Sequence, residues 1–128
     1  MMPLLACIGP VYRFHVAINE REFLDLAAKL DPSYKAPWLS NGACATSHFL
    51  YPNGPEGIVH SIVCLAPKHG SGAELIGSIV HEAAHVMQTT LKYYGMSPCD
   101  ETMAYALQNI ARAMIDAMIQ RKVLRIAT

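Results

Sequence analysis

The chain has 128 residues and a formal net charge of zero, a size that suits one domain (1–128) with a core of its own. Apolar residues make up 52% of it and charged ones 16%, which excludes a disordered chain. No basic patch stands outside the C-terminal end, so nucleic acid is not an expected partner, and no apolar run approaches the roughly 20 residues that span a bilayer.

In chain order, Leu4-Leu5-Ala6-Cys7 has the outline of a lipoprotein cleavage box, but no positive residue precedes it and the apolar run is short. The expectation is a cytoplasmic chain. Cys7, Cys44, Cys64 and Cys99 are widely spread with no CxxC pair, so four reduced thiols are expected. Tyr12, Phe14, Val16 and Ile18 alternate with Arg13 and His15, the period of a half-buried strand that leaves His15 on its polar face. Asn19 and Glu22 then form a helix start of the capping-box kind, with Phe23, Leu26, Ala27 and Leu30 facing inward and a stop at Asp31-Pro32.

Residues 32–42 read as a loop, with Trp38 closing over the edge of the core. Residues 43–51 and 58–66 read as two strands joined by a loop of hairpin composition, the second apolar on both faces and therefore covered. His48 and His60 could meet across this hairpin, but strand histidines without a cysteine or carboxylate partner are read first as hydrogen-bonded structural residues. Ser71 and Glu74 open a helix near Gly72 that runs to about Tyr94, with Gly95 as its stop. Ser97 and Pro98 begin another, from Glu101 to about Lys122. The short turn makes the two helices antiparallel neighbours. Met103, Leu107, Ile110, Met114 and Met118 form an apolar stripe on the last helix, flanked by Ala111, Ile115 and Ile119. That stripe is wide enough to suggest a homodimer through the C-terminal helix. Arg121, Lys122 and Arg125 suit the negative end of the helix dipole.

The stretch with chemical content is His81-Glu82-Ala83-Ala84-His85, an HExxH arrangement. Residues four apart on a helix lie one above the other, so His81 and His85 can offer two imidazole nitrogens to one ion. Glu82 is turned about 100° from His81, poor as a co-ligand but within reach of a water in an open coordination position. Apolar or small residues at Ile76, Ile79, Val80, Ala83, Val86 and Met87 make the helix a buried one. A third ligand must fold back from downstream. Glu101 is the first candidate and Asp100 the alternative, although Asp100 also suits the N-terminus of its helix.

From residue 71 to 115 the chain resembles the gluzincin pattern, HExxH followed by ExxA on a downstream helix, and is similar to short phage- and prophage-type zinc metallopeptidases. The resemblance implies an α+β minimal zincin-like fold, with a small, mainly antiparallel sheet packed on the metal helix and the helix after it. It implies Zn2+ held by His81, His85 and Glu101, with Glu82 as general base and Ala104 as the small residue between helices. Hydrolysis of peptide bonds in a peptide or protein substrate would follow. In zincins a strand beside the metal helix commonly binds extended substrate through its edge. Ala104 and Tyr105 replace the aspartate with which larger gluzincins orient a histidine, and no clear oxyanion donor is present. Tyr93, Tyr94, Tyr105 and His69 are the candidates. Peptide deformylases share HExxH, but Cys64 lacks the context of their metal-binding cysteine. The rival reading is a zincin-fold zinc-binding regulatory or assembly protein with little turnover. A metal-free structural protein would require both motifs to coincide by accident.

Overall fold

The computed structural model describes residues 2–3, 13–52, 59–66, 72–93, 95 and 100–122; for residues 2, 3, 13 and 100–102 this is the backbone alone. Its elements are β1 (Met2–Pro3), β2 (Arg13–Ala17), α1 (Glu20–Leu30), β3 (Ala45–Leu50), β4 (His60–Leu65), α2 (Gly72–Tyr93) and α3 (Asp100–Gln120). The fold class is α+β. The sheet is mixed, in the order β1-β2-β4-β3. β3 and β4 form the antiparallel pair expected of a hairpin, but β4 runs parallel to β2, with Arg13 opposite His60 and Ala17 opposite Cys64. With β1 and β2 also antiparallel, the sheet is mainly antiparallel, as expected, and the β2–β4 pairing is its parallel exception. The reason lies in α1, which folds back over one face after β2 and delivers the chain to the far edge as β3, from which β4 turns back beside β2.

Strand side chains alternate between faces, and the pairing register sorts them into two cores. Ala17, Leu50, Ile62 and Cys64 meet Phe23 and Ala27 of α1, with Leu26, Leu30, Tyr34 and Trp38 packed around them. Phe14, Val63 and Leu65 meet Leu75, Ile79, Ala83 and Val86 of α2, together with Ala106, Ile110, Met114 and Met118 of α3. β4 is buried on both sides because it lies between β2 and β3 under both helical layers. Each large apolar side chain so buried stabilises the fold by about 1.5–3 kcal/mol. The centre of the methionine stripe, Met114 and Met118, is fully buried in the chain's own core.

Helix punctuation follows local chemistry. Asn19 Oδ1 accepts from the Glu22 backbone N–H at 2.9 Å, and Glu22 reaches back to the Ile18 N–H at 3.1 Å. Asp31 caps the other end of α1, and Gly95, at φ +63°, follows α2 with its N–H on the Lys92 carbonyl. The caps expected at Ser71 and Ser97-Pro98 lie outside the described residues. Arg121 does not serve the end of α3 alone: its guanidinium pairs with Glu22, tying α3 to the start of α1. Among the described residues, no helix is long and apolar enough to cross a membrane.

The strand histidines face α1's side of the sheet. His48 is 5% exposed, under Phe23, with its ring held from both ends. Its Nε2–H donates to the Trp38 carbonyl at 2.9 Å, since a carbonyl only accepts, so Nδ1 accepts from the Tyr34 hydroxyl at 3.0 Å. Burial raises the Tyr34 pKa and keeps that phenol a donor. His60 meets His15 rather than His48, at 3.4 Å between His15 Nε2 and His60 Nδ1. His15 is therefore half-buried against a partner and not simply on a polar face, because α1 covers the face expected to be open. Burial, and then the neighbouring His60, lower its pKa to about 4; burial lowers that of His48 as well.

These shifts set a pH dependence. Unfolded histidines titrate near 6.5, so below that pH the unfolded chain takes up protons that native His15 and His48 refuse. Their contribution to stability is complete above about pH 6.5 and is lost as pH falls below it, for His15 down to about 4. Urea midpoints should drop between pH 7 and pH 5, and His15→Gln should flatten that drop. Equal slopes in the two proteins would show that His15 does not stay neutral in the fold.

Candidate metal centre

α2 lies across the sheet with Leu75, Ile79, Ala83, Val86 and Met87 inward. The flank of the helix beside this apolar stripe carries Glu82, and beyond it His81 and His85 stand in solvent. Nε2 of His85 is 3.1 Å from Nε2 of His81. The ring centroids are 4.8 Å apart with planes at 73°, closer than a head-on approach of the nitrogens would leave them. The two nitrogens therefore meet at an angle. In a tetrahedral site with Zn–N bonds of about 2.0–2.1 Å, two nitrogens lie roughly 3.3 Å apart, close to the separation of this pair. His15 and His60 differ: with centroids 5.7 Å apart and planes at 19°, their nitrogens point at each other nearly in line, the geometry of a hydrogen bond.

Glu82 contrasts with its neighbours. Its side chain is 7% exposed against 68% for His81. Oε1 accepts from the Ser47 hydroxyl of β3 at 2.8 Å, and Oε2 lies 3.9 Å from His81 Nε2. One carboxylate oxygen is thus held by the sheet while the other lies on the side of His81. A cavity of about 300 Å³ lies above them, bordered by Ala43, Ser47 and Phe49 on the β3 side and by His81, Glu82 and His85. A second, about 510 Å³, continues past His81 and Glu82 to Cys44, Glu74 and Gly77. Together they form a trough between α2 and β3, an outer strand of the sheet.

Of the expected site residues, the structure brings together His81, Glu82 and His85. The side chains of Glu101 and Asp100 lie outside the described residues, with their backbone in the first turn of α3. Among the described residues, no group of three or more histidine, cysteine, aspartate or glutamate side chains is placed to hold a metal. Tyr93 packs on Tyr51, 5.1 Å between rings, and Tyr105 is exposed; Tyr94 and His69 lie outside the described residues. Sequence reasoning passed over Ser47. Its signal was a hydroxyl at an inward position of β3, between Ala45 and Phe49. Compared with protein-family models, curated proteins and solved structures, the chain finds no match.

The two described thiols are in opposite situations. Cys44 is exposed beside the trough, whereas burial, and then the charge of Glu82, push the Cys64 thiol up to about 12. Only the thiolate reacts. Brief alkylation followed by peptide mapping should label Cys44 and spare Cys64 until the chain is unfolded. Early labelling of Cys64 would mean that the α1 side of the sheet opens.

Proposed function

We propose that the chain is a zinc-dependent hydrolase of peptide bonds with a minimal zincin-like fold. The observation that carries this reading is the angled His81/His85 nitrogen pair at 3.1 Å, with the Glu82 carboxylate 3.9 Å from His81 in a buried, hydroxyl-held position. His81, His85 and Glu101 would hold the ion, Asp100 being the alternative to Glu101. Bound zinc supplies Lewis-acid chemistry, acidifying a water and polarising a carbonyl. Glu82 takes a proton from the attacking water on its free oxygen and returns it to the leaving amine. β3 borders the trough, and an extended peptide or protein substrate would lie along it, pairing with its outer edge. A cytoplasmic location and resemblance to phage-type metallopeptidases accompany the reading.

The second reading is a zincin-fold zinc-binding regulatory or assembly protein, which would hold the ion through the same His81/His85 pair and need no oxyanion donor. Two measurements separate them. Elemental analysis after zinc loading and desalting should find one zinc per chain, reduced at least tenfold in affinity in His81→Ala, His85→Ala and Glu101→Ala. No zinc in the folded wild-type chain would remove both readings. Glu82→Gln should keep its zinc and lose turnover of unstructured protein substrates by about 100-fold or more. Zinc binding without turnover in the wild type would leave the regulatory reading.

A further inference from the structure

We infer that Ser47 is the positioning residue through which outer strand β3 sets the orientation of Glu82; the inference rests on the hydrolase reading above. Glu82 leaves the helix on a single-bonded side chain that could swing along the trough. Its Oε1 is fixed by the Ser47 hydroxyl at 2.8 Å, and the other oxygen is thereby aimed at the side where His81 Nε2 stands, 3.9 Å away. A carboxylate with one oxygen engaged this way presents a single free oxygen to a water. The hydroxyl is a suitable donor because it gives one hydrogen and carries no charge that would compete for the ion. Ser47 lies one residue from His48, which is locked on the opposite face by Trp38 and Tyr34. The backbone that carries the hydroxyl is therefore held from behind. A substrate strand added to β3 would settle on the same element that aims the base, so binding and orientation of Glu82 are coupled.

The test uses the zinc-loaded full chain, a set of quenched fluorescent extended peptides, and four proteins: wild type, Ser47→Ala, Ser47→Val and Ser47→Thr. Valine and threonine match in shape and differ in the hydroxyl, so their comparison survives even if Ser47→Ala folds poorly. The expected result is a kcat reduced about 10- to 100-fold in the alanine and valine variants. KM and zinc content should stay close to wild type, and threonine should recover most of kcat. In a Glu82→Ala background, Ser47→Ala should lower neither residual turnover nor Tm further. Wild-type turnover with an unchanged kcat in Ser47→Val, or an equal loss in valine and threonine variants, overturns the role of Ser47 and leaves the hydrolase reading standing. A zinc-loaded wild type that cleaves none of the peptides overturns the hydrolase reading and this role with it.

Discussion

A carboxylate largely withdrawn from solvent at the floor of the trough is the constraint on which the rest of the site depends. Glu82 is 5% exposed, and a buried charged group without a partner is costly, an unsatisfied acceptor alone amounting to about 1–3 kcal/mol. The fold must therefore bring a donor to it, and the donor comes from the sheet rather than from the helix. Ser47 can do this because it occupies the α2 face of β3, where a side chain in an adjacent position would point the other way. A slip of one residue in the β3–β4 register would replace the Ser47 hydroxyl with His48 or Thr46 and put Ser47 against α1.

That register is held by the other side of the sheet. His48 is clamped by the Trp38 carbonyl and the Tyr34 hydroxyl beneath the Phe23 ring. Leu50 and Ile62 fill the same core. The α1 layer, remote from the trough, thus decides which residues of β3 face α2. β4 transmits the arrangement, since its alternate side chains belong to both cores and it pairs with β3 along its whole length.

Local features were legible in the sequence and long-range ones were not. The start of α1 could be read because Asn19 and Glu22 satisfy backbone groups three and four residues away, and its end because Asp31-Pro32 stops a helix by itself. The presence of α2 could be read from HExxH and its apolar flanks, but not which flanks are covered. Ile79, Ala83, Val86 and Met87 lie inward, whereas Ile76 and Val80, expected to be buried, are exposed because they sit on the turn of the helix away from the sheet. The parallel pairing of β2 with β4 was hidden: alternation gives the faces of a strand but not its neighbour. For the same reason His60 could be imagined beside His48, although the fold gives it to His15. Helical spacing marks Glu82 as a helix-face carboxylate, but its burial and its tie to Ser47 join residues 35 positions apart, a contact that no local pattern encodes.

The candidate ligands and the candidate base are organised by different elements. The spacing of His81 and His85 is a property of one helix turn, so it survives any movement of the sheet. The aim of Glu82 is a property of the interface between that helix and β3. A shift of β3 by about an ångström would leave the two nitrogens where they are and release the carboxylate, because a hydrogen bond at 2.8 Å stretched that far is no longer one. Chemistry that needs both an ion and a base would thus depend on the strand as closely as on the helix, while ion binding would depend on the helix and its third ligand. Such a division gives selection two separate handles, and a chain could lose the base's alignment through its sheet while keeping an intact motif on its helix.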